Sequence, residues 1–344
     1  MRRFGAIGAV VAMCAWGAPA QAMLIIPDFG TTITAASNAA AIEASINTAI
    51  AEIDGLIANS LTLHIDFQTG SLSGGGLGTS TQTLMGAFYS TVRSELSSDA
   101  STHPSNAVLA TAVANLPTGF IAPDGVTYST TGQTLLYLTQ ANYMLLGNTT
   151  SPCYDSSGNY VGCSAGNGGT DVGVVTLSNA SSGSAALDWT RPVTPTTTDA
   201  VRVVLHEIDE ILGIGGGGSM LGNQTNAIGM TDLYRYTAAN TPSYATGATG
   251  VYLSINKGVT AIVAANQTAG GDYGDFGASG CTAYVQQAFT CQNQQANLTA
   301  SSPEATLLQA IGYTLIPVPE PGSLALLATG IAAIPAVRRR RRLR

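Results

Sequence analysis

A chain of 344 residues with a formal net charge of −7 has room for one large domain or two modest ones, and its charges are unevenly spread. Eight of the 13 basic residues sit at the two ends (Arg2, Arg3, Arg338 to Arg342 and Arg344), leaving five against the chain's 20 acidic residues. A body this acidic argues against nucleic acid as a partner.

The ends read as processing signals rather than as fold. Arg2-Arg3 precede an apolar run from Phe4 to Trp16 and then Ala20-Gln21-Ala22, the pattern of a secretory signal peptide over residues 1–22. At the other end, Val318-Pro319-Glu320-Pro321-Gly322 is followed by an apolar stretch from Ser323 to Val337 and a terminal arginine cluster. These three parts resemble the PEP-CTERM sorting signal of Gram-negative bacteria, over residues 317–344. The resemblance implies handling by an exosortase, transient membrane contact through the apolar stretch, and export to the cell surface or extracellular matrix, often alongside exopolysaccharide. Residues 23–316 remain as one folded domain.

Within that domain, Ala35 to Ser60 carries Ile42, Ile46, Ile50, Ile53 and Ile57 at helical spacing and predicts an amphipathic helix. Leu61 to Phe67 alternates apolar and polar residues and predicts a half-buried strand, with His64 and Asp66 on its polar face. Gly70 to Ser80 reads as a flexible glycine-rich loop. Leu84 to Leu96 and Ala107 to Leu116 look helical, with Pro104 near the start of the second. Leu135 to Leu146 is ambiguous between strand and helix. The export signals imply an oxidising compartment, so Cys153 with Cys163 and Cys281 with Cys291 are expected as two local disulfides, although sequence leaves other pairings open.

Asp171 to Ser178 predicts a strand, and Asp199 to Gly213 a buried helix, with Thr198 or Asp199 as its cap and Gly213 as its stop. On that helix His206 and Glu210 stand one turn apart on one face, with Glu207 beside them. Three carboxylates (Glu207, Asp209 and Glu210) fall in the last two turns, where the helix dipole and like-charge neighbours disfavour them. A divalent cation would offset that cost; an acidic solvated face is the alternative. Downstream, Asp232, Asp272 and Asp275 are candidates for a further ligand. Asp232 is the first choice; each of the three equally suits a turn cap or a pairing with Arg235, and Asp272 with Asp275 also suits structural calcium. Glu304 to Tyr313 predicts a closing helix packed through Leu307, Leu308 and Ile311.

The segments His206-Glu207-Ile208-Asp209-Glu210, Asp232-Leu233-Tyr234-Arg235-Tyr236, Gly271 to Phe276 and Leu308 to Tyr313 resemble exported bacterial metalloproteases with PEP-CTERM tails, organised like metzincin-type zincins. The resemblance implies an α+β fold: a twisted mixed sheet, an active-site helix and a smaller irregular C-terminal lobe. It carries over His206 as a zinc ligand and Glu207 as general base, and it suggests that the strand before the helix edges the substrate cleft. Two departures stand out. Glu210 occupies the place of the second His of H-E-x-x-H, and the position ten residues after the first His, where a metzincin has its third ligand, is Gly216.

The function expected is therefore a secreted zinc-dependent endopeptidase acting on protein or peptide, with His206, Glu210 and Asp232 on the metal and Tyr234 or Tyr236 at the oxyanion. The alternative is a non-catalytic surface or matrix protein on the same scaffold, associated with exopolysaccharide. A glycosidase using Glu207 and Glu210 is disfavoured, because neighbouring turns of one helix do not place carboxyls across a sugar ring.

Overall fold

The computed structural model describes residues 22–119, 127–128, 133–148, 153–154, 171–183, 185–223, 227–277, 280–282 and 284–317. The expected signal peptide, the membrane-contacting tail and the Cys153–Cys163 bridge lie outside the described residues. The first half runs β1 (Leu24–Phe29), the single turn α1 (Thr31–Thr34), α2 (Ala39–Asp54), β2 (Thr62–Gly70), β3 (Gly78–Gln82), β4 (Leu84–Phe88), α3 (Tyr89–Thr102) and α4 (Ala107–Asn115). Then come β5 (Thr127–Tyr128), β6 (Gln133–Thr139), α5 (Gln140–Leu145), β7 (Cys153–Tyr154), β8 (Asp171–Ser178), β9 (Leu187–Asp188), β10 (Thr198–Asp199), α6 (Ala200–Leu212) and α7 (Gly215–Gly218). After these follow β11 (Arg235–Ala238), β12 (Thr241–Pro242), β13 (Tyr252–Leu253), β14 (Val263–Ala264) and α8 (Pro303–Ala310).

The principal sheet has the order β1-β2-β8-β3, with β1, β2 and β8 parallel and β3 antiparallel. In β2, Leu63, Ile65 and Phe67 are fully buried while His64 and Asp66 alternate with them, as a half-buried strand requires. His64 pairs with Asp28 on that outer side at 3.1 Å, so it serves the surface. α6 lies against β3 and β8 with α2 beside it. Gly173 of β8 lets it come close: a Cβ there would lie 2.9 Å from Ile211 Cδ1.

Several expected boundaries move. Leu84 to Leu96 is not one helix; Leu84–Phe88 pairs with β6, and the helix starts at Tyr89. Leu135 to Leu146 resolves into both alternatives, strand and then helix, with the Thr139 side chain capping Asn142 N–H. The loop at Gly70 to Ser80 gives way to a strand at Gly78. α4 is capped by the Asn106 side chain, which accepts from Leu109 N–H. β8 is an interior strand, so the sheet edge beside α6 is β3 and not the strand that precedes the helix in sequence.

After α6 the described chain holds short strands and turns, mainly the sheet β12-β11-β13-β14, until α8. Leu307, Leu308 and Ile311 are buried as expected, in a core cluster that reaches from Met23 to Tyr313. Tyr313 Oη donates to Leu212 O at 3.0 Å, fastening the closing segment to the C-terminus of α6.

Candidate metal centre

α6 begins and ends near where its sequence says. Asp199 takes the cap position, but its carboxylate makes no cap bond; it receives Arg191 Nε and Nη2 at 3.0 and 2.6 Å instead. Gly213 adopts φ 104° and ends the helix, its N–H donating to the Asp209 and Glu210 carbonyls. Along the helix only His206 is more than marginally exposed. His206, Glu207 and Glu210 line a cleft of about 500 Å³. β3 and the Gly74–Gly76 turn also border it, as do Asp272 and Asp275 and the chain around Phe289.

Three side chains converge. His206 Nε2 lies 3.6 Å from Glu210 Oε1 and 3.6 Å from Asp275 Oδ2. One donor atom from each of the three falls within 4.8 Å of the others. The Val285 carbonyl, which can only accept, is 3.1 Å from His206 Nδ1, so Nδ1 carries the proton and Nε2 faces the two carboxylates. Glu210 is held from two sides, by Ser80 Oγ donating to Oε2 at 2.6 Å and by Gly216 N–H donating to Oε1 at 3.1 Å. The same Gly216 N–H reaches Asp275 Oδ1 at 3.0 Å. Glu207 sits alongside, against β3, where a Cβ on Gly78 would collide with its Oε1.

The charges are poorly matched. Four carboxylates (Glu207, Glu210, Asp272 and Asp275) share the cleft with one imidazole, and among the described residues neither Lys nor Arg lines it. Burial lifts Glu207 well above the usual carboxylate range, and the Glu210 charge adds to it. Burial also pushes Asp275 up to about 7, with His206 opposing and Glu210 and Asp272 adding. Asp272 is raised by burial and by Glu210. Burial works to lower His206, yet the charges of Asp275, Glu210 and Glu207 hold it well above its ordinary value. Protons or a cation must supply the missing positive charge.

Of the residues singled out in the sequence, His206, Glu207, Glu210, Asp272 and Asp275 meet at this cleft, and Asp232 does not. Asp232 is wholly buried elsewhere, accepting from Ser219 Oγ at 2.6 Å, Met220 N–H at 3.0 Å and Gly229 N–H at 2.9 Å. Its oxygens hold a turn together, and the carboxylate that stands beside His206 and Glu210 is that of Asp275. Tyr234 Oη is committed to the Ala310 carbonyl at 2.8 Å, and neither Tyr234 nor Tyr236 is among the cleft-lining residues, so the oxyanion role assigned to them lacks support. Cys281 and Cys291 form a disulfide, as expected. Ser80 and Gln286 carry no sequence signal and emerge only from the fold.

The PEP-CTERM protein-sorting motif matches residues 317–342, which makes the chain a secreted, surface-targeted bacterial protein that meets the exosortase sorting machinery. No curated protein and no solved structure matches the chain.

Proposed function

We propose that the chain is a zinc-dependent endopeptidase of zincin-like organisation, with His206, Glu210 and Asp275 holding the cation and Glu207 as general base. The observation that carries this reading is the convergence of those three donors beside Glu207 in a cleft along a sheet edge. The spacing suits one ion: donors about 2.1 Å from a tetrahedral centre stand about 3.4 Å apart, against the 3.6 Å separations at His206 Nε2. The donor set also fits, since zinc accepts imidazole nitrogen together with carboxylate oxygen. A cation would stabilise carboxylates that burial otherwise forces toward their protonated forms.

When bound, such a cation supplies Lewis acidity to a scissile carbonyl and to an attacking water. Glu207 takes the proton from the water as it attacks and passes it to the leaving amine, a task suited to a buried carboxylate held above the usual carboxylate range. Ser80 and Gly216 keep Glu210 turned into the site, and Val285 fixes the His206 ring. β3, at the edge of its sheet, offers backbone groups to an extended peptide, which would place substrate selection on main-chain pairing. Two carboxylate ligands weaken the Lewis acid relative to a three-imidazole site, so turnover should be slow.

The test is metal analysis of the mature protein together with cleavage of a peptide library. Near-stoichiometric zinc lost in His206→Ala, and cleavage abolished in Glu207→Gln with zinc retained, are expected. A metal-free, folded wild type would overturn the reading.

A further inference from the structure

The side chain of Gln286 is fully buried against this cluster, and its two ends are treated very differently. Its Nε2 lies 3.2 Å from His206 Nε2 and donates to Asp275 Oδ1 at 3.0 Å, whereas its Oε1 is buried with no hydrogen-bond partner among the described residues. A half turn of the carboxamide exchanges two groups of nearly equal size and leaves the rest of the side chain in place. The present orientation already leaves one buried end unpartnered, so the choice turns on what stands on the His206 side. A proton donor there suits a lone pair on Nε2; a cation there favours the oxygen.

The backbone is built to hold this side chain still. Gln286 N–H donates to Glu304 Oε1 at 3.0 Å, and its carbonyl accepts from Phe276 N–H at 2.8 Å. Arg202, buried in α6, donates to the Tyr284 carbonyl at 2.6 Å, and the Cys281–Cys291 disulfide closes the loop. Gly215 leaves the space: a Cβ there would collide with the carboxamide.

We propose that Gln286 is a fourth protein donor, presenting Oε1 to the cation held by His206, Glu210 and Asp275 in a shell of five or six ligands that keeps a place for water; this rests on the metal-site reading above. The 3.2 Å between the Gln286 amide position and His206 Nε2 is close to the separation of two donors on one ion, about 3.0 to 3.4 Å for octahedral to tetrahedral shells. With three oxygens to one nitrogen, the site then tolerates harder cations such as manganese beside zinc.

Calorimetric titration of the mature protein with zinc and with manganese, at about pH 8, tests this alongside X-ray absorption of the zinc-loaded protein. Gln286→Leu is expected to bind roughly 10- to 100-fold more weakly and to lose one light scatterer from the zinc shell. Gln286→Glu keeps a donor oxygen and is expected to bind at least as tightly as wild type. It also covers the case in which the leucine variant fails to fold. A Gln286 that served only as an N–H donor to Asp275 would make the glutamate variant weaker, and that result overturns the proposal. Unchanged affinity and scatterer number in Gln286→Leu, with binding lost in His206→Ala, overturns the Gln286 assignment alone. No binding by wild type overturns both readings.

Discussion

Asp209, on the same helix as the candidate ligands, should make the fold less stable as pH rises. It is 0 % exposed, and neither carboxylate oxygen has a hydrogen-bond partner among the described residues. Burial raises it well above the usual carboxylate range, with Glu304 and Glu210 adding and His206 opposing. A folded-state pKa above the unfolded one gives stability that is complete below the unfolded value of about 3.9 and is lost as pH climbs toward the folded value. Each pH unit above the unfolded value over which the folded carboxyl holds its proton costs about 1.4 kcal/mol. Asn is nearly isosteric and has no proton to hold. Asp209→Asn should therefore match wild type within about 1 kcal/mol at pH 4 and gain on it, by no more than about 1.4 kcal/mol per pH unit, as pH rises to 7. Urea unfolding at both pH values, with a chelator present, measures the difference. A stability difference that does not change with pH, or a variant less stable than wild type at pH 7, would refute the reasoning.

Cation affinity should rise with pH through about 7, because the protons that Asp275 retains up to there must leave before its oxygen can ligate. Proton release on zinc binding, read by calorimetry in buffers of different ionisation enthalpy, checks this; binding without release would contradict it. Asp232→Ala strands Ser219 Oγ and the Met220 and Gly229 N–H groups and should cost about 3 kcal/mol or more, with zinc stoichiometry unchanged. Loss of zinc at full stability would instead make Asp232 a ligand. Replacing Cys281 and Cys291 with Ser opens a loop whose ends are 10 residues apart, expected to cost about 2 to 3 kcal/mol in thermal unfolding and to weaken zinc binding by loosening Val285 and Gln286.

The parts of this fold that were legible in sequence are those set by local periodicity and caps. The alternation in β2 and the apolar spacing in α2 and α6 declare themselves, and Gly213 marks its turn because only its φ of 104° ends the helix there. Leu84 to Leu96 misled because an apolar run can serve a strand or a helix, and pairing with β6 decides between them. Which Asp stands beside His206 and Glu210 was not legible for a similar reason. Asp232, Asp272 and Asp275 are equivalent as residue types, and what separates them is whether backbone N–H groups nearby consume the carboxylate. Three donors consume that of Asp232, while Asp275 retains an oxygen facing His206.

The two departures from the H-E-x-x-H pattern are one change seen twice. Gly216 N–H donates to both Glu210 Oε1 and Asp275 Oδ1, and Ser80 Oγ donates to the other oxygen of Glu210. A carboxylate at position 210 can accept from Ser80 and Gly216 and still offer a lone pair, whereas a neutral imidazole has one lone pair in all. A side chain at 216 would collide with Glu210 Oε1, and its Cβ would lie 2.7 Å from Asp272 Cγ. With Glu210 and Asp272 in these positions glycine at 216 fits without displacing either, and it supplies a backbone donor. In the proposed site the third donor therefore comes from another part of the chain, and Asp275, 59 residues further on, is the carboxylate that the same N–H orients.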